Sequence, residues 1–188
     1  NEISYEANAS AGFKNEKMGL EAKVNYFYIQ NYIIGRILSL GSPMNYQSVG
    51  VKGYTSLNHA RIFNVALNAN YNILQHLHWK GTLTYARATD DKDGNLPFIR
   101  PLSYQTSLHF MYKTFGIQTS VNGDLTQRNY SPEYGEDQTP AYMIWSISAN
   151  YSFNIKNCKT VLQAGVENLL NEYYSTYADW GNICFGLF

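Results

Sequence analysis

The chain has 188 residues, of which 15% are aromatic, including 17 tyrosines, and only 15% are charged. Globular proteins usually carry about 25% charged residues, so this composition argues against an ordinary soluble core. The formal net charge is zero, which excludes a basic nucleic-acid-binding surface and an acidic tail. The sequence has no apolar run of roughly 18 residues that would predict a transmembrane helix. Its mean hydropathy of -0.34 instead favours a sheet with one apolar and one wet face.

Taken in chain order, almost every segment alternates between apolar and polar residues. The first has Ile3, Tyr5 and Ala7 against Ser4 and Glu6. A period of two is the signature of a β-strand. It predicts eight strands at about 2–14, 18–38, 53–72, 77–89, 103–113, 115–129, 142–154 and 160–171. Most are longer than the 5–6 residues common in globular proteins, and a tilted strand needs roughly 9–11 residues to cross a membrane.

The connections between the predicted strands alternate in length. The short ones lie near residues 15–17, 73–76, 113–114 and 154–159, and the long ones near 40–52, 90–101 and 130–142. The long connections hold all five prolines. Short turns at one end and long loops at the other are typical of outer-membrane barrels, in which the short turns face the periplasm. We therefore predict an all-β, antiparallel transmembrane β-barrel.

Two further features support this fold over a soluble β-sandwich. Many tyrosines, tryptophans and phenylalanines cluster near strand ends, where aromatic girdles meet lipid headgroups. The polar face is mostly Asn, Ser, Thr and Gln, which suits a barrel lumen. The outer face of a sandwich meets bulk water and usually carries Lys and Glu.

Several segments resemble the barrel of TonB-dependent receptors. Residues 165–174 (GVENLLNEYY) resemble the penultimate strand of that family, and 177–183 (YADWGNI) resemble its last external loop. Weaker similarity is seen at 27–33 (FYIQNYI), 58–63 (NHARIF) and 96–102 (LPFIRPL). The resemblance implies a 22-stranded barrel filled by an N-terminal plug, of which residues 1–188 are about the last third. It also implies energised import, through TonB, of siderophore-iron, cobalamin, haem, other metal complexes or glycans.

The chain departs from the family pattern at both ends. The plug and the TonB-contacting segment are absent, so this piece alone is not expected to perform energised transport. The family's Pro-Arg-x-Gly-Arg segment and closing strand are replaced by 184–188 (CFGLF). The N-terminus lacks a signal peptide, so we expect the numbering to start downstream of the true beginning of an exported protein.

Candidate ligand-binding residues lie in the predicted external loops. Tyr46, Tyr130, Tyr134 and Trp180 could grip an aromatic or hydrophobic chelate by stacking, or could serve loop and girdle packing. Arg100 could attract an anionic ferric chelate. Like other arginines near the outer strand ends, it could equally pair with lipopolysaccharide or with neighbouring carboxylates. Those others are Arg61, Arg87 and Arg128.

No bound metal, cofactor or enzymatic activity is predicted. His76 and His78 share one side of a strand start, as metal ligands could, but a polar turn is the favoured interpretation. The acidic segment 90–95 resembles a calcium loop, yet Leu96 and Leu102 stand where Gly and Glu are needed. No nucleophile, base and acid combination stands out. Cys158 and Cys184 fit no zinc or redox spacing, and a disulfide between them stays open.

The sequence therefore predicts an outer-membrane TonB-dependent receptor for active uptake of metal chelates such as siderophore-iron or cobalamin. Its expected partners are the chelate, the TonB complex through the missing plug, and outer-membrane lipid and lipopolysaccharide. The alternative is a complete eight-stranded outer-membrane barrel with a structural or adhesive role, because the strand number and length also fit that architecture.

Overall fold

The computed structural model describes residues 1–38, 51–156 and 158–178. Eight strands form one sheet in which each strand pairs antiparallel with the next along the chain. They are β1 (Ile3–Lys14), β2 (Met18–Leu38), β3 (Val51–Leu74), β4 (Leu77–Thr89), β5 (Ser103–Tyr112), β6 (Phe115–Asp124), β7 (Tyr142–Ile155) and β8 (Cys158–Val166), with one 3-10 turn at Pro132–Tyr134. None of the described residues form a helix long and apolar enough to cross a membrane.

The predicted all-β architecture is confirmed, and most strand ends agree within two residues. Two strands end earlier than alternation predicts. β6 ends at Asp124 rather than near 129, and β8 ends at Val166 rather than near 171. After β6 the chain leaves the ladder and Gln127 bonds the distant Ile99 carbonyl, whereas after β8 the Asn168 side chain closes a local turn onto Glu172.

The strand register sorts the side chains onto two continuous faces. One row places Ala22, Leu67, Leu83 and Tyr104 side by side on β2 to β5, and we call this apolar side the outer face. Leu67 and Leu83 are each 46% exposed there. Exposed large apolar side chains across several strands require a non-aqueous partner, which is the expected condition of a lipid-facing barrel wall.

The opposite side, the inner face, is a hydrogen-bonding surface. The neighbouring row contains Glu21, Asn68, Thr82, Gln105 and Asn122. The amide of Asn68 donates to Glu21 at 3.3 Å and accepts from the Thr82 hydroxyl at 3.1 Å. Alternate residues of the same strands therefore form a wet inner wall of amides and hydroxyls and an apolar outer wall.

Tryptophans on the outer face have their N–H groups satisfied within the wall. Trp79 donates to the Thr106 hydroxyl at 2.8 Å, and Trp145 donates to that of Thr119 at 2.7 Å. The Trp79 ring lies over Gly81, where an added Cβ would meet the ring at 2.7 Å. These pairs matter because hydrocarbon offers an indole N–H no partner.

β2 and β3 are the longest strands, with 21 and 24 residues, and they exchange faces part-way along. Between the pairs Gln30↔His59 and Tyr32↔Leu57, neither Asn31 nor Asn58 is paired, and Asn31 has φ 55°. Beyond this point Tyr32 and Leu57 pack inward against a small apolar core. That core consists of Ala60, Ala88 and Leu96, each 3% exposed or less. We call the part of the sheet on the short-turn side of Asn31 and Asn58 the belt.

The sheet is an open arc rather than a closed ring. In the described residues the strand order runs linearly from β1 to β8, and these two edge strands share no ladder. The alternative of a complete eight-stranded barrel is therefore not the arrangement observed. Unpaired strand edges have no hydrogen-bonding partner in lipid, so the arc requires further strands beside it.

Candidate functional site

A compact apolar cap lies at the end of the sheet that carries the long connections. We define the cap as residues 90–102 and 125–141 together with the parts of β2 and β3 beyond Asn31 and Asn58. The first connection folds back over the inner face, where the Leu96 amide donates to the Ala88 carbonyl at 3.0 Å. Leu96 is 2% exposed and completes the core with Ala60. The connection is thereby held across the mouth of the inner wall.

The second connection is fastened to the first by one buried carboxylate. Glu136 is 3% exposed. Its Oε1 accepts from the Phe98 amide at 3.0 Å and from Gln127 Nε2 at 2.8 Å, and its Oε2 accepts from the Ser131 amide at 2.8 Å. Gln127 in turn donates to the Ile99 carbonyl at 3.1 Å and accepts from the Thr139 hydroxyl at 2.9 Å. Satisfied buried networks of this kind hold a unique conformation.

The arginines near this end of the sheet divide into paired and unpaired groups. Arg100 donates to both oxygens of Asp124, with NH2 to Oδ1 at 2.8 Å and Nε to Oδ2 at 3.3 Å, and this hydrogen bond raises the pKa of the Arg100 guanidinium. Arg61 pairs with Asp93 at 2.5 Å. Within the described ranges, neither Arg87 nor Arg128 has a carboxylate within 4.0 Å.

The predicted aromatic ligands are placed differently from one another. Tyr134 is 3% exposed inside the cap, and burial raises the pKa of its phenol. Tyr130 is half-buried on the same connection. Tyr46 and Trp180 lie outside the described residues. Ligand contact by these residues and by Arg100 stays a prediction.

The histidines do not form the pair that their sequence spacing offered. His76 stands edge-on to the Tyr112 ring at 5.3 Å. His78 Nδ1 lies 2.8 Å from Asn72 Oδ1 and faces His109 across β4 and β5. In the described part of the chain, no group of three or more His, Cys, Asp or Glu side chains could hold a metal ion.

The remaining acidic and cysteine segments have simple local roles. Asp90 Oδ1 accepts from the Lys92 amide at 2.9 Å and the Gly94 amide at 2.7 Å, which makes the calcium-like segment a turn. Cys158 is exposed at the start of β8. Cys184 lies outside the described residues, so whether the two cysteines pair stays open.

The inner face beside the cap is a wide polar concavity. A cavity of about 690 Å³ lies along β5 to β8. Its lining is mostly amides and hydroxyls, among them Gln105, Gln118, Asn122, Ser146 and Gln163. Such a wall can exchange hydrogen bonds with a hydrated solute, because it offers many neutral donors and acceptors beside the carboxylate of Glu167. Sequence reasoning anticipated this wall but missed Glu136, Gln127 and Asp124, since nothing in their local sequence marks them as buried.

The segment that carries the family resemblance forms a side-chain-clamped turn. Asn168 lies two residues after the end of β8 and has φ 52°. Its Oδ1 accepts from the Glu172 amide at 2.7 Å, and its Nδ2 donates to the Glu172 carbonyl at 2.9 Å. Asparagine tolerates this left-handed backbone better than most residues. The Asn-Leu pair therefore stops the strand by a definite geometry.

Comparisons with solved structures recover the same architecture. The copper transporter OprC superposes with a TM-score of 0.82 at 20% identity, over 94% of this chain and 27% of that one. A mutant of the ferric enterobactin receptor PfeA from Pseudomonas aeruginosa gives 0.69 at 16% identity, over 97% and 28%. The FrpB iron transporter from Neisseria meningitidis gives 0.69 at 12% identity, over 97% and 29%. At these identities the likeness establishes the fold, and the chain spans less than a third of each structure.

A comparison with curated protein sequences finds no match. The family model described as TonB dependent receptor-like, beta-barrel matches residues 3–169, a range that includes all eight strands of the described sheet. The long-loop end of the sheet therefore faces the cell exterior and the short turns face the periplasm. The chain belongs to the TonB-dependent receptor β-barrel family of the bacterial outer membrane.

Proposed function

We propose that this chain is the C-terminal part of the barrel of a receptor for active uptake of metal chelates such as siderophore-iron or cobalamin. The observation that carries the proposal is the pairing of a lipid-facing outer wall with a polar inner wall beneath a structured external cap. Similarity to transporters named for copper, ferric enterobactin and iron supports a metal-containing cargo. The whole receptor would supply the plug and its contact with the TonB complex.

In this proposal the cap and the inner wall have different tasks. The cap is the first part of the chain that an external ligand meets, and its arginines and aromatic rings could contact an anionic or hydrophobic chelate. The inner wall of amides and hydroxyls would then offer replaceable hydrogen bonds along the route inward. Energised release requires the plug, so these strands act as scaffold and passage.

The domain assignment is tested by the mass of the native protein in purified outer membranes, detected with an antibody against this segment. We expect a band several times larger than the 21.4 kDa of this chain. A band close to that mass would contradict the receptor proposal, because no room would remain for a plug and earlier strands.

The cargo is tested by uptake in cells that express the native protein or lack its gene. Ferric siderophores, cobalamin and copper would be supplied separately as labelled compounds, with and without an uncoupler of the inner membrane. We expect uncoupler-sensitive accumulation of at least one metal complex that depends on the gene. Equal accumulation of all of them in both strains would contradict the proposal.

A further inference from the structure

A cavity lies on the inner face at the short-turn end of the sheet, far from the cap. It has a volume of about 520 Å³ and lies where β4 begins and β5 ends. We call it the short-turn cavity. Its lining shares no residue with that of the concavity along β5 to β8. Three of its lining residues, His78, His109 and Met111, carry nitrogen or sulfur atoms that bind transition metals.

The sheet brings together two histidines that are distant in the sequence. His78 lies two positions from His76 along the chain, but the register pairs it with His109 on the next strand. Both members of the pair are on the inner face, since they alternate in step with Thr82 and Gln105. Directly paired residues on one face have Cβ atoms about 4.5–5.5 Å apart. At this separation two imidazoles can bind the same ion.

Hydrogen bonds orient both rings so that each has a nitrogen available to a metal. Asn72 Nδ2 donates to the Glu16 carbonyl at 3.1 Å, which turns Asn72 Oδ1 toward His78 Nδ1 at 2.8 Å. Because an amide oxygen only accepts, His78 Nδ1 carries the proton and Nε2 keeps its lone pair. Metal-binding histidines usually have such a partner on the other nitrogen. Ser107 Oγ lies 3.2 Å from His109 Nε2 and can hold that nitrogen while Nδ1 binds the ion.

Met111 is an apolar exception on the wet inner face. It follows His109 by two residues on the same side of β5 and is 58% exposed. Its neighbours Phe110 and Tyr112 are on the outer face, so Met111 is not part of the apolar alternation of this strand. A methionine side chain is long and flexible, and its thioether can reach an ion held between the two histidines.

The charge around the cavity favours a monovalent ion. Lys80 lines the cavity on the same face of β4. The described lining contains no carboxylate to offset this cation. Coulomb repulsion by one ammonium is twice as large for a divalent ion as for a monovalent one at the same distance. Thioether ligands select Cu(I), and imidazole also suits copper.

We propose that the short-turn cavity binds Cu(I) through His78, His109 and Met111. The histidines supply two of the three ligands, and the thioether completes a set that His, Cys, Asp and Glu alone do not form in the described part of the chain. Asn72 is a positioning residue that presents Nε2 of His78 to the ion. The site takes a bare metal ion at the periplasmic end of the wall, whereas capture of a chelate is assigned to the cap at the opposite end.

The proposal is tested with the full-length native receptor, purified in a non-ionic detergent and kept free of oxygen so that copper stays as Cu(I). Binding is measured by competition with a coloured Cu(I) chelator. We expect the double variant H78A/H109A to lose one bound equivalent of Cu(I). The matched control is H59A, because His59 stacks on Tyr28 and does not line the cavity; it should bind as the native protein does. Equal binding by H78A/H109A and the native protein would overturn the proposal.

A conservative variant tests the choice of metal. Met111→Leu nearly preserves the side-chain volume, so it should fold normally, and a heat-modifiable band on gels confirms this for each variant. It should weaken Cu(I) binding and remove a sulfur scatterer from the X-ray absorption spectrum of the bound copper, while Zn(II) binding stays unchanged. An unchanged sulfur signal, or an equal loss of Zn(II) binding, would overturn the Cu(I) assignment. The receptor is measured without any chelate or uptake step, so failure here is distinguishable from failure of the uptake proposal.

Discussion

The belt and the cap are built from the same strands but bury opposite kinds of side chain. In the belt the large apolar residues lie on the outside, with Leu67 and Leu83 each 46% exposed, and the inner side is polar. Under the cap, the inner-face residues Ala60 and Ala88 are buried together with the cap residue Leu96, as in a soluble protein. The difference teaches that solvent, rather than strand geometry, decides which face of a strand is apolar.

The largest expected effect comes from placing a charge on the lipid side of the belt. Leu67 lies near the middle of the belt part of β3, so Leu67→Arg should lower the free energy of unfolding by about 2–4 kcal/mol. The measurement is urea-induced unfolding of the full-length receptor in lipid vesicles. Asn68→Arg is the matched control, because the neighbouring side chain points to the wet inner face beside Glu21. Equal losses for the two variants would remove the distinction between the faces.

The next effect concerns the cap alone. Glu136→Gln should destabilise the cap by roughly 1–3 kcal/mol, because it places an amide N–H₂ against donors that now meet a carboxylate. Hydrogen exchange of the Phe98 and Ser131 amides should accelerate while the belt stays protected. Glu133→Gln is the control on the same connection, since its pair with Arg36 is exposed and such pairs contribute little. Unchanged exchange in the Glu136 variant would show that the network does not hold the cap.

A smaller effect is expected at the tryptophan pairs of the outer face. Thr106→Val keeps the side-chain shape but leaves the Trp79 N–H without its acceptor, which should cost about 1 kcal/mol in a membrane. Thr82→Val removes a hydroxyl from the inner face of the same strands, where water can replace the bond to Asn68. Unfolding midpoints in vesicles would compare the two. A larger loss for the Thr82 variant would contradict the assignment of the faces.

The smallest expected effect is on the stability of the cap, and it appears only at alkaline pH. Burial raises the pKa of Tyr134 above its ordinary value of 10.0. A raised folded-state pKa favours the protonated form, so its contribution to stability is complete below pH 10.0 and is lost as the pH rises through the folded value. Tyr134→Phe should therefore reduce the alkaline opening of the cap, as measured by limited proteolysis. Tyr130→Phe on the same connection is the control, and equal behaviour of both variants would contradict this.

The fold could be predicted because alternation is a local property. The eight strands follow from a period of two, and the short-turn and long-loop ends follow from the connection lengths. The ends of β6 and β8 were predicted too late, because Gln127 leaves the ladder to bond Ile99 on another segment and Asn168 closes a turn onto Glu172. The pattern alone does not name those partners.

The candidate site was less predictable, because its geometry depends on non-local contacts. Arg100 was recognisable as a cation at an outer strand end, yet its partner Asp124 lies 24 positions away. Tyr134 was recognisable as a loop aromatic, yet its burial depends on how two connections pack together. Glu136 gave no signal, since a buried hub and a solvated loop carboxylate look alike in sequence.

The unpaired Asn31 and Asn58 have a consequence for how such a chain can change over time. Both strands of the hairpin exchange their inner and outer faces at the same level. The register between β2 and β3 is therefore the same on both sides of Asn31 and Asn58. If the segment between these two positions were exchanged between related receptors, the alternation of lipid-facing residues in the belt would be unchanged. The ligand-exposed part could then diversify by recombination at a fixed boundary, without any compensating change in the membrane wall.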